Sequence, residues 1–468
     1  MSLIFKLPDI IEESRLTYKE MKAGGVARFR LVEQQVGIRD ELSENMLVLG
    51  ENLEFMLYLL NEGDMRNRPT LIYIDPPFYS GSDYDVDIKI HEGDEGESLV
   101  IKQKAYSDIW GRSKEEYLKM LTLRFLAMKD LLAEDGSLWV HLDWHAVHYV
   151  KIILDEIFGE ENFINEIIWQ YKSGGAGKRC FARKHDTLLY YAKSPAYYFK
   201  AEKEKSYNRG LKPYRFKGVE EFCDEIGWHT MVTRKDVWQI DMVGRTSSER
   251  TGYATQKPET LIERILESCT QKGDLCADFF AGSGTLAAVA NRMGRRWISC
   301  DVGKSAILST HKRLMAQDAS YGMYIDDGKD GLADPENKLN VVIKGEIMHD
   351  AGDIMLTIRL KSYDYGGEIP LCHKNKDIIG RIMEGDSLCL LASIGIDRKY
   401  DGKIFRPDIC NCNDHSRVKR NYEIRVSPWG TVAVRVLDIF GNRIFFKIQV
   451  SEFMDVDSER NINGKEME

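Results

Sequence analysis

Nine residues, Leu71-Ile72-Tyr73-Ile74-Asp75-Pro76-Pro77-Phe78-Tyr79, constrain this chain more than any other stretch. Four of the five residues ending at Asp75 are apolar, as in a central parallel strand covered on both faces. The two prolines then forbid continuation. Neither has an N–H, and Asp75 and Pro76, each preceding a proline, are pushed out of the helical region. The run predicts a buried strand stopping in a rigid loop at its carboxyl end, where open α/β sheets bind ligands.

That loop offers one carboxylate, backbone carbonyls and the flat ring of Phe78. The set suits a planar amine whose lone pair is delocalised into a ring. If Asp75 and the Pro76 carbonyl each accept one N–H, the nitrogen is drawn toward tetrahedral geometry and its lone pair is freed, while Phe78 stacks on the extruded base. Asp75-Pro76-Pro77-Phe78 resembles the catalytic tetrapeptide of amino-group DNA methyltransferases, in which a leading acid is typical of the adenine-N6 type and serine of the cytosine-N4 type. A Pro-Pro turn after any buried strand is the plain alternative, and the tetrapeptide alone does not separate the two.

A second constellation lies far downstream. Leu275-Cys276-Ala277-Asp278-Phe279-Phe280-Ala281-Gly282-Ser283-Gly284-Thr285 reads as strand, glycine turn and helix, and a strand from Trp297 to Cys300 ends in Asp301. Glycines let a backbone approach a nucleoside closely, and an acid about 20 residues on can hold ribose hydroxyls. Asp278 before the turn would repel a pyrophosphate, which favours the cationic S-adenosylmethionine over a dinucleotide. The segment resembles the Phe-x-Gly-x-Gly cofactor motif of the same family through Phe280, Gly282 and Gly284, with Ser283 between them. Just upstream, Thr255-Gln256-Lys257-Pro258 opens a helix. In the family a similar segment helps form the cofactor pocket, which implies that role for Thr255, Lys257 and Pro258. Gly50-Glu51-Asn52-Leu53-Glu54 resembles the family segment before the catalytic strand, and places Glu51 near the cofactor's adenine.

The order of the motifs, catalytic strand first and cofactor motif last, resembles the permuted β class of these enzymes. Candidate strands at Met46, Leu71, Ser137, Ile164, Thr187, Leu275 and Trp297 make seven. The expected fold is therefore α/β, a Rossmann-like seven-stranded, circularly permuted methyltransferase sheet over residues 46–315, after an N-terminal extension over 1–45. His141, Asp143, His145 and His148 suggest a metal, but no second ligand cluster accompanies them; we expect no metal and read a strand whose polar end borders the active site.

The net charge of −9 excludes a protein coated in positive charge, but nucleic-acid binding needs only a local basic stripe. From Lys172 to Lys217 there are 13 Lys or Arg against three acids. The Tyr171–Arg179 connection is glycine-rich and basic, and no Gly-Lys-Ser/Thr follows to make a phosphate loop. Lys172, Lys178, Arg179, Arg183 and Lys184 are expected to meet DNA phosphate. Within a target-recognition insert over 195–250, Tyr207, Arg209, Lys212, Tyr214, Arg215 and Lys217 interleave rings with cations, which suits backbone contact and base stacking. Residues 80–107, with the acidic run Glu92–Glu97, read either as a solvated loop or as a flap closing over DNA or cofactor.

Residues 316–340 read as a linker and 341–455 as a smaller all-β, immunoglobulin-like domain with a hairpin around Asp438-Ile439-Phe440-Gly441-Asn442. Cys372, His373, Cys410, Cys412 and His415 match no common zinc spacing. The tail over 456–468 is polar and expected to be disordered. Nine cysteines without regular spacing read as reduced thiols; with no apolar run near ~18 residues, the cytoplasm is the expected compartment and a membrane is not an expected partner.

The resemblance implies transfer of methyl from S-adenosylmethionine to adenine N6 in double-stranded DNA with one base flipped out, as in restriction-modification systems. Cytosine-N4 methylation and an RNA substrate stay open. So does a DNA-binding assembly subunit with a vestigial methylase site, docking a restriction endonuclease through the C-terminal domain. A homodimer is also compatible.

Overall fold

A computed structural model describes residues 2–25, 27–37, 44–91, 98–109, 113–173, 178–328, 337–348, 352–367, 369–371, 373–413, 416–454 and 459–463. The acidic run Glu92–Glu97, the glycines of the basic connection at 174–177, and Cys372 and His415 lie outside the described residues.

The alternation within Leu71–Ile74 sets the architecture. Ile72 and Ile74 enter one apolar core and Leu71 and Tyr73 another, all almost fully buried, so the strand is covered on both faces. Burying side chains of this size contributes roughly 1.5–3 kcal/mol each. Helices Leu7–Ala23, Asn52–Asn61, Lys114–Leu131 and Val147–Phe158 cover the first face, and Glu259–Cys269, Thr285–Arg292 and Lys304–Ala316 the second.

All seven expected strands occur in one sheet, which has ten strands among the described residues. From one edge they run Phe29–Gln35, Tyr321–Asp326, Met46–Leu49, Arg296–Asp301, Leu275–Asp278, Leu71–Ile74, Ser137–Leu142, His185–Ala192, Phe163–Gln170 and Val237–Gln239. Met46–Leu49 through Ser137–Leu142 are mutually parallel, and His185–Ala192 is antiparallel to both neighbours. The carboxyl ends of the parallel strands therefore share one edge, with Asp75, Asp278, Asp301 and Glu51 at or just beyond them.

Three boundaries differ from the sequence reading. Phe29–Gln35 and Tyr321–Asp326 pair with each other and extend the sheet, so the N-terminal extension and the start of the supposed linker belong to the methyltransferase fold. Their pairing spans almost 300 residues and leaves no local signal. In the tail, Glu459–Asn463 forms an edge strand on Lys338–Ile347, so backbone pairing overrides its polar composition.

The C-terminal module consists of two four-stranded antiparallel sheets, and the expected hairpin pairs Thr431–Asp438 with Arg443–Gln449. It is β-rich rather than all-β. Helix His373–Asp386 buries Ile379 and Ile382 against the same core, a helical spacing within a run too polar to stand out. The module is fastened to the sheet by a buried ion pair, Arg435 to Glu33 of the Phe29–Gln35 strand at 3.1 Å, both side chains under 3% exposed. Arg435 also donates to Ser393 and contacts His311, each at 3.2 Å.

Candidate active site

The prolines stop the Leu71–Ile74 strand and the loop is then held from behind. The Tyr117 hydroxyl donates to the Pro77 carbonyl at 2.7 Å, and Pro76 is buried. Asp108, almost fully buried, accepts the N–H groups of Phe78 at 3.1 Å, Tyr79 at 3.0 Å and Ser80 at 2.6 Å. These bonds hold Tyr79 at φ +65°, which a bulky residue rarely adopts. Asp108 was not foreseen: it lies about 30 residues from the loop it fastens, at the end of a stretch with no clear period.

Asp75 has two unlike oxygens. Oδ2 forms an ion pair with the Lys257 ammonium, whose Nζ also donates to the Thr255 carbonyl at 3.3 Å and stands 5.2 Å from the centre of the Phe78 ring. Oδ1 is buried with no hydrogen-bond partner among the described residues, 4.0 Å from His141 Nδ1. His141 is fully buried, tilted against Phe78 with centroids 5.8 Å apart. Its Nδ1 lies 3.0 Å from the Tyr73 hydroxyl and its Nε2 3.3 Å from Asp186. Burial alone would push the Asp186 carboxyl up; His141, Lys257 and the Tyr171 hydroxyl together outweigh it and hold it below its ordinary range. The strand-borne histidine thus borders the catalytic loop, and no metal-ligating group of three or more side chains occurs among the described residues.

Beside this loop lies a cavity of about 450 Å³ whose wall includes Glu51, Asp75, Asp278 and Asp301. Asp278 caps its own strand end, accepting the Phe280 N–H at 2.9 Å, and burial pushes its carboxyl well up. Asp301 keeps part of its surface open to the cavity, yet the protein packed round it pushes it upward, against the pull of the Gly282 and Gly303 N–H groups at 2.9 and 2.8 Å. Gly284 stands at φ +70°, and a Cβ there would meet the Thr310 side chain at 2.5 Å; the glycine turn is a close approach of backbone to helix. Phe280, Gly282 and Ser283 line the cavity, as does Thr255 at φ +57°. Pro258 instead precedes the helix Glu259–Cys269. Glu51 caps the helix Asn52–Asn61 through the Glu54 N–H at 2.9 Å and pairs with Arg124, which sequence reasoning missed.

The polar stretch after the catalytic loop is an antiparallel ribbon, Asp83–His91 with Ser98–Ser107. Ala105, Tyr106 and Ser107 line the cavity, and the ribbon is tied to the loop before Lys257 by the Asp87 N–H donating to the Gly252 carbonyl at 2.9 Å and by Arg250 to Asp87 at 3.0 Å. Its Ile90 and Ile101 are buried in the C-terminal module's core.

The expected DNA-facing residues fall into two groups. Lys178, Arg179 and Arg183 are exposed, and Lys184 donates to the Ser173 carbonyl at 3.1 Å; this segment enters the His185–Ala192 strand at the edge bearing Asp75. Exposed Lys172 pairs with Asp241 at 3.4 Å. The 195–250 insert is rooted at the opposite edge, where the Lys200 N–H donates to the Ser268 carbonyl at 2.8 Å and Arg234 meets Glu267 at 2.7 Å. On it, Arg209, Lys212, Tyr214, Arg215 and Lys217 are exposed, while Tyr207 is half-buried with its hydroxyl donating to Asp224 at 2.9 Å.

Residues 70–312, just over half of the chain, match the model of the N6/N4 DNA methylase family, and the chain belongs to that family. It is 25% identical over 342 residues to the type II methyltransferase M.EcaI of Enterobacter cloacae, covering 60% of this chain and 72% of that one. It is 30% identical over 193 residues to M2.DpnII of Streptococcus pneumoniae, covering 40% and 64%. The chain thus spans about two thirds of the length of these type II relatives. It is also 26% identical over 161 residues to the Mod subunit of the type III restriction-modification enzyme EcoP15I of Escherichia coli, covering 32% of this chain and 24% of the subunit. The family's methyl donor is S-adenosylmethionine. The cavity fits it: the wall is rich in carboxylates, which suits a sulfonium and an ammonium and opposes a phosphate.

Proposed function

We propose that the chain methylates the N6 amino group of an adenine extruded from duplex DNA. The observation that carries this reading is Asp75 Oδ1, buried on the cavity wall with no hydrogen-bond partner among the described residues while Lys257 occupies Oδ2. A buried carboxylate oxygen without a donor costs free energy, and an incoming amine supplies one. Oδ1 and the Pro76 carbonyl would each accept one N–H of the amine, and Phe78 would stack on the base. S-adenosylmethionine, when bound, supplies an electrophilic methyl group with a neutral thioether as leaving group. The amine nitrogen's lone pair would take up that methyl group as the thioether leaves, and the methylated nitrogen would then give up its proton to solvent. Lys257 holds Asp75 in position throughout. Asp278, Asp301 and Glu51, with Phe280, Gly282, Ser283, Gly284 and Thr255, would hold the cofactor, and Pro258 would position that segment.

Lys178, Arg179, Arg183 and Lys184 would meet the phosphates beside the target, and the 195–250 insert would recognise sequence farther along. The likeness to a Mod subunit supports a place beside a restriction endonuclease subunit. The test is to incubate the protein with methyl-labelled S-adenosylmethionine and mixed-sequence duplex DNA, digest to nucleosides and identify the labelled product by mass spectrometry. Labelled N6-methyladenosine is expected; labelled N4-methylcytosine would overturn the substrate, and no labelled base would overturn the reading.

A further inference from the structure

Phe181 is 96% exposed, a large apolar side chain standing in water with four cations, Lys178, Arg179, Arg183 and Lys184, within three residues of it along the chain. Two residues on, Arg183 places its guanidinium 4.1 Å over the ring of Trp144, which is itself 46% exposed and tilted by 32° against His145 with centroids 3.7 Å apart. The topology puts both aromatics at the catalytic edge. Leu142, the last residue of its strand, pairs with Thr187, so the segment entering His185–Ala192 lies beside the turn that carries Trp144. That turn is one lysine from the catalytic loop: Lys114 donates to the His145 carbonyl at 2.7 Å and stands 4.9 Å from the centre of the Tyr79 ring.

An exposed phenylalanine flanked along the chain by cations has the chemistry of a wedge into nucleic acid. Cations neutralise phosphate on either side, and an apolar ring enters a base step that the same contact holds open. A base can leave its duplex only if its stacking is given up, and an inserted ring offsets part of that loss. We propose that Phe181 is the wedge that enters the base stack of duplex DNA as the target base leaves it, with the Trp144–Arg183 stack as its rigid backing. The proposal rests on the DNA-methylation reading and adds to it the residue that opens the duplex.

The test uses the full chain and two duplexes of the sequence that mapping the methylated product defines. One is fully paired; in the other the target base faces an abasic position and is already unpaired. Because Phe181 contributes nothing to the core, Phe181→Ala should fold and bind S-adenosylmethionine as the parent does. On the paired duplex its kcat/KM should fall roughly ten- to a hundredfold, the range of one stacking contact. On the pre-opened duplex the loss should shrink to within about threefold. Phe181→Trp should retain activity, with its indole fluorescence quenched by the paired duplex. Arg179→Ala should weaken both duplexes alike and flatten the salt dependence. Equal activity of Phe181→Ala and parent on the paired duplex, or equal loss on both, overturns the wedge alone. A parent protein that methylates neither duplex overturns the underlying reading and the wedge with it.

Discussion

Two buried ion pairs divide the molecule by purpose. At the seam between the sheet edge and the C-terminal module, Arg435 and Glu33 are enclosed by protein, and neither lines the cofactor cavity. Burial pushes Glu33 up and Arg435 pulls it back. The same burial, with Arg435 beside it, holds the His311 imidazole well below its ordinary range, so it is neutral and can accept from the guanidinium. At the cavity edge, Lys257 and Asp75 form a second pair of a cation with a carboxylate, on the wall of a cavity. A buried charge closed in by its neighbours fixes one domain on another; a buried charge with an oxygen facing a cavity waits for a ligand.

The contrast can be broken most sharply at Asp75. Asp75→Asn, which keeps an oxygen acceptor for Lys257, should lower methyl transfer by about a thousandfold or more while the thermal midpoint stays nearly level; methylation that survives the substitution would sink the assigned mechanism. The seam should answer in the opposite way. Arg435→Met leaves a buried carboxylate alone and should cost about 3–5 kcal/mol in urea unfolding, whereas Glu33→Leu with Arg435→Met should recover most of it. A double variant no better than the single would show that packing, not charge, holds the seam.

Smaller effects sharpen the cleft. Lys257→Met should reduce kcat about a hundredfold with the S-adenosylmethionine Kd nearly unchanged, and Lys257→Arg should restore part of it. A Kd that rises in step with the loss of kcat would return Lys257 to the cofactor role read from its motif. Asp301 gives the mildest test. Its carboxyl is held above the ordinary range, so on acidification it protonates at a higher pH than a free aspartate. If the ionised form holds the cofactor, affinity falls as pH drops through that raised value and is full above it. Calorimetric titration across pH should show this acid limb in the parent and a flat, weaker profile, about tenfold down at alkaline pH, in Asp301→Asn.

The parts legible in the sequence were those written in consecutive residues. Leu71–Tyr79 and Leu275–Thr285 each carry strand, turn and polar tip within about a dozen positions, so the central strands and their order could be read, and with them the family. Asp108 clamps a loop about 30 residues away, Asp186 meets His141 across two strands, and Phe29–Gln35 finds its partner almost 300 residues later. Such pairings have no local period or motif, because topology rather than propensity selects them. Lys257 shows the intermediate case. Its motif pointed to the cleft correctly, but the partner of its ammonium depended on which strand end lay opposite.

The ribbon formed by Asp83–His91 and Ser98–Ser107 has a practical consequence. One face of it roofs the cavity, its far end leads into Asp108, and Ile90 and Ile101 are rooted in the C-terminal core. A chain trimmed to the 70–312 segment that defines the family would keep the Asp75–Phe78, Thr255–Pro258 and Phe280–Gly284 motifs and lose both Glu51 and the anchorage of its own ceiling. Grafting experiments on this chain should therefore treat the C-terminal module as part of the working unit and exchange pieces only in the part of the 195–250 insert that precedes the Val237–Gln239 strand.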